Sequence, residues 1–455
     1  MESYDVVVVG AGTGGQTAAH HLRQAGLKVA LAEKSDLPGG VCALAGCQAK
    51  KWFYEAAEIV ARSRHLEGKG MTAAAGDWGA VRAEKNRFTE AVPDSTVEGL
   101  YGAGIDYLEG AARFTDPHTL TVDGAPVQTR FVVLATGACP MPLPIPGASH
   151  LVLSDAFLQL PALPRRIVFV GGGFISFEFA HFAARLGAEK GAIHILEAAD
   201  RTLGPFDAEM VDLLVDASAR EGIAVHTGDG VVDIRPDREG FIVTTASGRR
   251  LEADLVVHGA GRVADVEGLD PAAAGIAISN RGIVVDEQMR TSNPNVFAVG
   301  DCAATVQLAR VADFEAAVAA RCILAEMDRG DEDRMDYRFV PSLLFTYPQY
   351  AMVGATEEAL KHSGTDYLKS FGKNLRWPTY RRVGLETAAY KILADPKGTL
   401  LGAHFISDNA SGLVNAIRLA MVAGLTAEDL HRHSIMGPYP SRESDLLYML
   451  APLVR

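Results

Sequence analysis

A glycine-rich turn close to the N-terminus is the feature that most restricts the fold of this chain. An apolar strand, Val6–Val9, leads into the run Gly10–Gly15, and a helical pattern follows it. Gly10 permits the tight turn, Gly12 lets the backbone approach a pyrophosphate, and Gly15 lets the helix pack closely on the strand. The helix N-terminus then presents free N–H groups and the positive end of its dipole to the phosphates. The pattern predicts a strand–turn–helix unit that binds a dinucleotide.

The strand that follows supports the same prediction. Residues Lys28–Ala32 are predicted to form a second strand, which ends at Glu33. A carboxylate at this position can accept hydrogen bonds from both hydroxyls of an adenosine ribose. Strand, turn, helix and terminal acid therefore stand in the order that a βαβ nucleotide-binding unit requires.

A second unit of the same kind begins about 160 residues later. The strand Ile167–Val170 precedes a Gly-x-Gly-x-x-Ser turn at Gly171–Ser176, and the next strand, Ala192–Leu196, is followed by Glu197. A carboxylate there binds a free 2′-hydroxyl and repels a 2′-phosphate, which favours NADH over NADPH. Arg201 lies four residues later and could weaken that selectivity. Two such units predict an α/β protein with two doubly wound dinucleotide-binding domains.

Length and charge exclude several other classes of protein. The 455 residues suffice for about three domains of roughly 150 residues each. With 43 Lys and Arg against 56 Asp and Glu, the net charge is −13, which disfavours nucleic acid and anionic membranes as partners. Five cysteines are too few for a secreted disulfide scaffold. No apolar run reaches the roughly 18 residues of a membrane span, and the first residues lack the basic segment of a signal peptide. We therefore expect a soluble, cytoplasmic protein.

Proline-rich and charged stretches indicate the domain boundaries. The run Pro140–Gly147 is typical of a linker, and the charged run Asp328–Arg334 separates a helix from new strands. The last segment combines short strands such as Ala389–Leu393 with amphipathic helices near Ala410–Ala423, which predicts an α+β domain. The predicted segments are a first dinucleotide domain at 1–150, a second at 151–278, a return to the first at 279–335, and the α+β domain at 336–455.

Two cysteines five residues apart are candidate redox groups. Cys42 and Cys47 follow the pair Gly39-Gly40 at a predicted helix start, where the helix dipole lowers the pKa of a thiol. Residues five apart in an ideal helix have Cα atoms roughly 8–9 Å apart, beyond the roughly 7 Å limit for a disulfide. A bridge therefore requires a distorted first turn, which Gly46 would permit. The alternative is two unrelated thiols, and the two dinucleotide units favour the redox pair. The other cysteines are interpreted as structural: Cys139, Cys302 and Cys322.

Taken together, these motifs resemble the FAD-dependent pyridine nucleotide–disulfide oxidoreductases, the family of dihydrolipoamide dehydrogenase, glutathione reductase and mercuric reductase. The similarity runs essentially from end to end. Besides the glycine turns and the cysteine pair, it rests on Leu134–Gly137, which is like the family's Ala-Thr-Gly turn, on Gly259–Arg262 as a second such turn, on Thr291–Asp301 as the second flavin motif, and on Phe345–Pro348 as the opening of the dimerisation domain.

The resemblance implies a homodimeric enzyme that moves electrons from NADH through FAD to a redox-active disulfide. Cys47 would be the charge-transfer thiol that faces the flavin, and Cys42 would exchange with the acceptor. Lys51 would pair with Glu178 beside the flavin, and Phe174 would cover the nicotinamide pocket. FAD contacts are expected from Gly10, Gly12, Gly15, Glu33, Lys51, Ala112, Thr136, Gly137, Asp301 and Ala309. NAD contacts are expected from Gly171, Gly173, Phe174, Glu197 and Gly261, and no metal site is predicted.

The C-terminal segment departs from the family. The family ends with His-Pro-Thr-x-x-Glu, in which the His of the partner subunit is the acid–base group for the exchange thiol. Here Tyr439 stands at the His position and Ser444 at the Glu position, with Glu443 one residue early. His431 and His433 lie upstream and are interpreted as residues of a helix end. Because a phenol ordinarily titrates near about 10, Tyr439 is a poor proton shuttle at neutral pH although it can donate a hydrogen bond.

Three hypotheses for the electron acceptor therefore remain open. The leading one is a reductase for an unusual disulfide or other electrophile whose leaving group needs little protonation, because a positioned acid contributes roughly 10²–10⁴-fold in ordinary exchange. The second is a carboxylase and thioether-cleaving reductase resembling 2-oxopropyl-coenzyme M reductase/carboxylase, which keeps the cysteine pair and has an aromatic residue at the His position. The third is an electron-transfer flavoprotein subunit that serves a protein partner. A mercuric reductase is disfavoured because no cysteine pair lies near the C-terminus.

Overall fold

The computed structural model of this chain describes residues 3–454 and divides into two compact units. Each unit gathers segments that lie far apart in the sequence. The first unit contains the described part of Met1–Trp52 together with Arg82–Pro142 and Gly261–Tyr337, and the second contains Phe53–Val81, Leu143–Ala260 and the described part of Arg338–Arg455.

Helices and strands alternate along most of the chain. The helices are α1 (Thr13–Gln24), α2 (Gly40–Leu44), α3 (Cys47–His65), α4 (Trp78–Glu90), α5 (Val92–Gly102), α6 (Ser154–Phe157), α7 (Phe174–Leu186), α8 (Ala208–Arg220), α9 (Ala309–Ala325), α10 (Glu357–Ser363), α11 (Pro378–Arg381), α12 (Ala410–Val422), α13 (Ala427–Ser434) and α14 (Leu446–Leu450). The strands are β1 (Ser3–Val9), β2 (Val29–Glu33), β3 (Asp106–Glu109), β4 (Ala112–Asp116), β5 (Thr119–Val122), β6 (Ala125–Leu134), β7 (Ala138–Pro140), β8 (Ile167–Val170), β9 (Ile193–Leu196), β10 (Ile223–His226), β11 (Val231–Asp237), β12 (Gly240–Thr245), β13 (Arg250–Ala253), β14 (Leu255–His258), β15 (Arg262–Ala264), β16 (Ile278–Ser279), β17 (Gly282–Ile283), β18 (Val296–Ala298), β19 (Ser342–Leu344), β20 (Gln349–Gly354), β21 (Leu368–Lys373), β22 (Ala389–Ala394) and β23 (Leu400–Ser407).

A mixed sheet organises the first unit. Its order is β3-β2-β1-β6-β5-β4, and β18 pairs with β6. β1 lies in parallel between β2 and β6, with Val6 opposite both Val29 and Phe131. Val6, Val7 and Val8 are fully buried, because a central parallel strand has both faces covered and reads as a continuous apolar run. The glycine turn and Glu33 consequently lie at neighbouring carboxyl ends of the sheet.

The second unit contains one parallel sheet and two antiparallel sheets. The parallel sheet has the order β10-β9-β8-β14, and its core extends to the antiparallel layer β11-β12-β13 through residues such as Val170, Ile234 and Val243. The other antiparallel sheet has the order β19-β20-β23-β22-β21. Phe405 of β23 and Leu413 of α12 belong to one buried core against this sheet.

The predicted fold class is confirmed. The two predicted strand–turn–helix units are present as β1–α1–β2 and β8–α7–β9. The C-terminal segment is α+β, and β22 and α12 lie where a strand and a helix are predicted. The three boundaries between the four predicted segments stay predictions. Among residues 3–454, no helix combines the length and the apolar character that crossing a bilayer requires.

Candidate active site

The first glycine turn is held by close contacts between backbone segments. Gly10 has a φ of +108°, and a Cβ there would lie 2.4 Å from the carbonyl oxygen of Ala135. A Cβ on Gly15 would lie 1.9 Å from the carbonyl oxygen of Gly10. Helix α1 then begins at Thr13 with Gly12 as its N-cap. Because Gly12 offers no capping side chain, the first N–H groups of α1 are available to an anion.

An acidic side chain is fixed at the end of the second strand of each βαβ unit. Glu33 accepts hydrogen bonds from the backbone N–H groups of Ala11 (2.7 Å) and Ser35 (2.9 Å). Glu197 accepts equivalent bonds from Gly172 (2.6 Å) and Ala199 (2.8 Å). Both carboxylates are therefore held against the glycine turn of their own unit, where a ribose would lie.

Cys42 and Cys47 lie on either side of a helix break. α2 ends at Leu44 and α3 begins at Cys47, so the two thiols are not separated by a regular helical turn. A Cβ on Gly46 would lie 2.8 Å from the carbonyl oxygen of Val41, which leaves no room for a larger residue. The distorted turn at Gly46 that the sequence predicts is present, and it brings the two sulfur atoms into hydrogen-bonding contact.

The two thiols are electrostatically unequal. The hydrogen bond from Cys42 lowers the pKa of Cys47 to about 6, and the charges of Lys50 and Lys51 act in the same direction against burial. The same bond to Cys47, together with burial, raises the pKa of Cys42 far above the ordinary thiol value, whereas a hydrogen bond to Thr13 opposes the rise. At neutral pH, Cys47 is therefore the thiolate and Cys42 the thiol.

A second turn of the first unit lies against the glycine turn and leaves open space. A Cβ on Gly137, whose φ is +75°, would meet no atom within 4 Å. Thr136 is fixed by donating to the carbonyl oxygen of Asp265 (2.6 Å). Asp301 lies after β18, where burial raises the pKa of its carboxyl and Arg262 opposes that rise. Ala309 is the first residue of α9.

The second unit supplies four of the five residues predicted to bind NAD. Phe174 is the first residue of α7 and is half exposed, as an aromatic cover of a ligand would be. The turn before it needs glycine, because a Cβ on Gly171 would lie 2.4 Å from the Cα atom of Ala260. Arg201 donates to the carbonyl oxygen of Gly204, so its guanidinium is folded onto its own loop.

The predicted pair Lys51–Glu178 stays a prediction. Lys51 is half-buried on α3, one turn after Cys47. Glu178 is buried on α7 and accepts a hydrogen bond from the backbone N–H of Phe345 (3.0 Å). The structure thus fixes the Glu178 carboxylate within the second unit.

In the C-terminal segment, Glu443 and Ser444 are engaged with residues other than Tyr439. Tyr439 is 76% exposed. Ser444 is buried and donates to the carbonyl oxygen of Ser441 (2.7 Å), while Glu443 accepts from Asn409 (2.6 Å). The nearby histidines, His431 and His433, lie in the last turn of α13, where the sequence places them.

Comparison with known proteins decides the family. The family description "Pyridine nucleotide-disulphide oxidoreductase" matches residues 4–316, and that of its dimerisation domain matches residues 340–446. The chain belongs to this family. Dihydrolipoyl dehydrogenase of Geobacillus stearothermophilus is 33% identical over 95% of this chain and 94% of that protein. Glutathione reductase of Schizosaccharomyces pombe is 28% identical over 98% of each chain. The Cu(II) complex of the HOCl-induced flavoprotein disulfide reductase RclA from Escherichia coli superposes with a TM-score of 0.88 at 27% identity, covering 100% of both chains.

As a pyridine nucleotide–disulfide oxidoreductase, the protein uses FAD and NAD(P)H. The first unit fits FAD: the uncapped α1 N-terminus can take the pyrophosphate, the anchored Glu33 can take the ribose, and the open turn at Gly137 leaves room beside them. The second unit fits the pyridine nucleotide through the equivalent arrangement of α7 and Glu197.

The predicted site residues divide between the two units. The first unit contains Gly10, Gly12, Gly15, Glu33, Cys42, Cys47, Lys51, Ala112, Thr136, Gly137, Gly261, Asp301 and Ala309, and the second contains Gly171, Gly173, Phe174, Glu178, Glu197 and Tyr439. Gly261 is thus grouped apart from the other residues assigned to NAD. The roles of all these residues stay predictions.

Three residues near the cysteine pair were missed by the sequence reasoning. Thr13 hydrogen-bonds to Cys42, and Lys50 lies close enough to lower the pKa of Cys47. Gly40 lies against the glycine turn, because a Cβ there would be 2.4 Å from the Cα atom of Gly12. Lys50 could have been found from its position three residues after Cys47, on the same helix face. Nothing in the local sequence signals the other two contacts.

Proposed function

We propose that this protein is an NADH-dependent FAD disulfide reductase whose Cys42–Cys47 pair reduces an electrophile with a good leaving group. The observation that carries the proposal is the hydrogen-bonded thiol pair at the break between α2 and α3, with its thiolate on Cys47. The acceptor class follows from the C-terminal segment, in which the exposed Tyr439 replaces an imidazole. NADH is preferred because Glu197 is held where it repels a 2′-phosphate.

The chemistry of the thiol pair follows from its hydrogen bond. FAD, when bound, supplies the hydride chemistry by which electrons from NADH reduce the Cys42–Cys47 disulfide to the thiol pair. After Cys42 passes its proton to Cys47, the Cys42 sulfur attacks one sulfur of the acceptor disulfide. The acceptor S–S bond breaks, and the first product leaves as a thiolate that takes a proton from solvent. Cys47 then loses its proton to solvent and attacks the Cys42 sulfur, so that the second thiolate leaves and the Cys42–Cys47 bond forms.

The missing imidazole restricts which acceptors react quickly. A leaving thiolate of ordinary pKa needs a proton in the transition state, and a positioned acid supplies roughly 10²–10⁴-fold. Glu443 is held by Asn409 and Ser444 is turned into its own loop, so neither orients an acid at residue 439. An acceptor whose leaving thiolate has a low pKa needs no proton in the transition state, so the missing imidazole slows its reduction little.

A Cu(II) ion, whose one-electron reduction gives the soft ion Cu(I), is the second candidate acceptor. The RclA structure that superposes on this chain is a Cu(II) complex of that protein. In the present chain, the low pKa of Cys47 provides a thiolate at neutral pH, and thiolates are ligands of soft metal ions. Oxidation of the Cys42 thiol and the Cys47 thiolate to a disulfide releases one proton and two electrons, which reduces two Cu(II) ions to Cu(I). This step has no leaving group to protonate, which agrees with the absent imidazole.

The other hypotheses have less support. The relatives reported above offer none for a carboxylase or for an electron-transfer subunit that serves a fixed protein partner. The match to the dimerisation domain supports a homodimer. Light scattering of the purified protein tests this, and a fully active monomer would exclude a role for the partner subunit's C-terminal segment.

The acceptor is tested by steady-state NADH oxidation with lipoamide, glutathione disulfide, a nitrobenzoate disulfide, quinones and Cu(II). We expect the nitrobenzoate disulfide or Cu(II) to react quickly and lipoamide slowly, while reduction of the flavin by NADH, measured separately, stays fast. Faster flavin reduction by NADPH than by NADH would contradict the cofactor preference. Lipoamide turnover limited only by hydride transfer would contradict the proposed acceptor class.

A graft of the family's acid–base pair tests the same point from the other side. Tyr439→His with Ser444→Glu should raise lipoamide turnover by at most roughly 10²–10⁴-fold, and Tyr439→Phe serves as the matched control. We expect the gain in lipoamide turnover to be smaller than this. Ser444 is only 7% exposed, so a glutamate side chain does not fit in the space that the serine side chain occupies. No gain from a correctly folded variant would mean that proton supply does not limit exchange.

A further inference from the structure

A pair of histidines lies beside the acid that follows the second strand of the second βαβ unit. Nδ1 of His194 in β9 is 3.2 Å from Nε2 of His226 in β10, and the two ring planes are inclined by 21°. His194 and Leu196 alternate along β9 and therefore share one face of the strand. Leu196 belongs to the core that extends to the layer β11-β12-β13, so the half-buried pair lies on the covered face of the parallel sheet.

The contact between the two rings depends on their protonation. Two ring nitrogens at 3.2 Å share a hydrogen bond only when one carries a proton and the other offers a lone pair. The neutral pair meets this condition. When both rings are imidazolium ions, two N–H groups and two positive charges face each other, and the contact is lost.

The surroundings of the pair oppose a positive charge on either ring. Among residues 3–454, the charged groups that act on the rings are Arg249 and Asp229, which lie just before β13 and β11. Burial, the neighbouring ring and Arg249 lower the pKa of His194. At His226, burial and Arg249 outweigh Asp229 and also lower the pKa. Asp229 already accepts bonds from the N–H and the hydroxyl of Ser247 (2.9 and 3.0 Å). Both rings are therefore neutral at pH 7.

Backbone hydrogen bonds connect the pair to Glu197. The N–H of Glu197 donates to the carbonyl oxygen of His226 (2.8 Å), and the carbonyl oxygen of Glu197 accepts from the N–H of Asp229 (3.0 Å). Two residues further on, the carbonyl oxygen of Ala199 accepts from the N–H of Gly228 (2.8 Å). The segment that carries the Glu197 carboxylate is thus joined along its length to the segment that begins at His226. A displacement of His226 away from β9 must stretch these bonds.

We propose that His194 and His226 are positioning residues that hold Glu197 for the adenosine ribose of the pyridine nucleotide and make nucleotide affinity fall in acid. The inference rests on the role of Glu197 in the proposed function. Protonation of the pair separates the ends of β9 and β10, and Glu197 then loses its backbone support. A nucleotide that binds with Glu197 in place favours the neutral pair, so binding releases protons and weakens as the pH falls below about 6.5.

The test measures binding of ADP-ribose to the oxidised, FAD-containing protein by isothermal titration calorimetry. ADP-ribose keeps the adenosine ribose and the pyrophosphate but cannot reduce the flavin, so the Cys47 thiolate does not enter the measurement. We expect binding about tenfold weaker at about pH 5 than at about pH 7.5, within the limit of tenfold per pH unit for each linked proton. Titrations in two buffers with different heats of ionisation should show that binding releases protons at the lower pH.

Two variants remove one titrating ring each. His194→Asn places an amide near the position of Nδ1, and His226→Gln places one near Nε2, so each can keep the hydrogen bond but cannot take a proton. Both variants should bind ADP-ribose like the unmodified protein at about pH 7.5 and should lose most of the weakening in acid. His362→Gln, at an exposed position of α10, is the matched control and should keep the pH dependence. Far-ultraviolet circular dichroism and flavin content confirm that each variant is folded.

The outcomes separate this inference from the proposed function. If ADP-ribose binds but its affinity is the same at both pH values, or if both variants weaken in acid as the control does, the histidine pair does not position Glu197. The assignment of the nucleotide site would be unaffected by that result. If ADP-ribose does not bind at either pH, the assigned role of Glu197 is wrong and the inference is wrong with it.

Discussion

The proton shared by Cys42 and Cys47 is the central feature at the scale of single residues. The hydrogen bond that Cys42 donates stabilises the Cys47 thiolate, and the neighbouring Lys50 and Lys51 add a positive field. Cys42 therefore stays a thiol until its proton moves. This difference in protonation follows from the contacts of the two sulfur atoms and does not require a group from the C-terminal segment.

The pH dependence of Cys47 is the first prediction. In the two-electron-reduced protein, a long-wavelength charge-transfer band should be present at pH 7 and should disappear as the pH falls through about 6, because the thiolate becomes protonated. An absorbance titration measures this. Cys47→Ser should lack the band, whereas Cys42→Ser should show it without reductant. A band that persists in Cys47→Ser would contradict the assignment.

The second prediction at this scale concerns the hydrogen bond between Thr13 and Cys42. Its hydrogen bond opposes the rise in the pKa of Cys42 that Cys47 and burial cause. In a Cys47→Ser background, Thr13→Val should therefore raise the pKa of Cys42 and slow its alkylation by iodoacetamide about tenfold at neutral pH. Thr13→Ser keeps the hydroxyl and should react like the parent. Equal rates for the valine and serine variants would show that the hydroxyl has no role.

At the scale of elements, the contact between the α2 loop and the glycine turn positions the thiols beside the nucleotide-binding turn. Gly40 has a φ of +75° and its Cα faces Gly12 so closely that no side chain fits. Gly46, which follows the other end of α2, is also restricted, because a Cβ there would lie 2.8 Å from the carbonyl oxygen of Val41. Glycine at both ends lets α2 stop after little more than one turn, which places Cys42 against α1.

Gly40→Ala tests this packing. The added Cβ would lie 2.4 Å from the Cα atom of Gly12, so the glycine turn or the α2 loop must shift. We expect a marked loss of bound FAD after purification, measured as flavin absorbance per chain. Gly102→Ala is the matched control, since a Cβ at that position in α5 would meet no atom within 4 Å. If Gly40→Ala retains FAD as well as the control does, the contact is not required for the flavin site.

At the scale of the whole molecule, a buried charge network joins strand β22 to helices α8 and α10 within the second unit. Lys391 of β22 is fully buried and lies 2.8 Å from Asp207, the N-cap of α8, and 2.9 Å from Glu357 of α10. Burial works to raise the pKa of the Glu357 carboxyl, but its bonds to Lys391 and Lys369 outweigh burial and hold that pKa well below its ordinary range.

Lys391→Met should lower the free energy of unfolding by about 3–5 kcal/mol, because the carboxylates lose a buried partner. Lys369→Met is the control and should cost less, since that side chain is 31% exposed. The low pKa of Glu357 stabilises the fold above the carboxyl pKa of the unfolded chain, so the difference between wild type and Lys391→Met should narrow below about pH 4. Urea unfolding at several pH values measures both effects. An equal loss in the two variants would contradict the argument from burial.

The glycine turns, the acids Glu33 and Glu197, and the spacing of Cys42 and Cys47 were readable from the sequence. Each belongs to a short segment in which apolar periodicity, glycine and a terminal carboxylate stand in a fixed order, so local chemistry is sufficient to predict it. The need for a distorted turn at Gly46 was also predictable, because helix geometry alone forbids a bridge between residues five apart.

Tertiary structure decided the rest. The bond from Thr13 to Cys42 and the contact of Gly40 with Gly12 both join segments that are distant along the chain. The inward position of Ser444 is local, but it depends on which face of its turn the surrounding core buries. Which side chains meet across such distances depends on the packing of several elements at once, and no residue pattern within one segment carries that information.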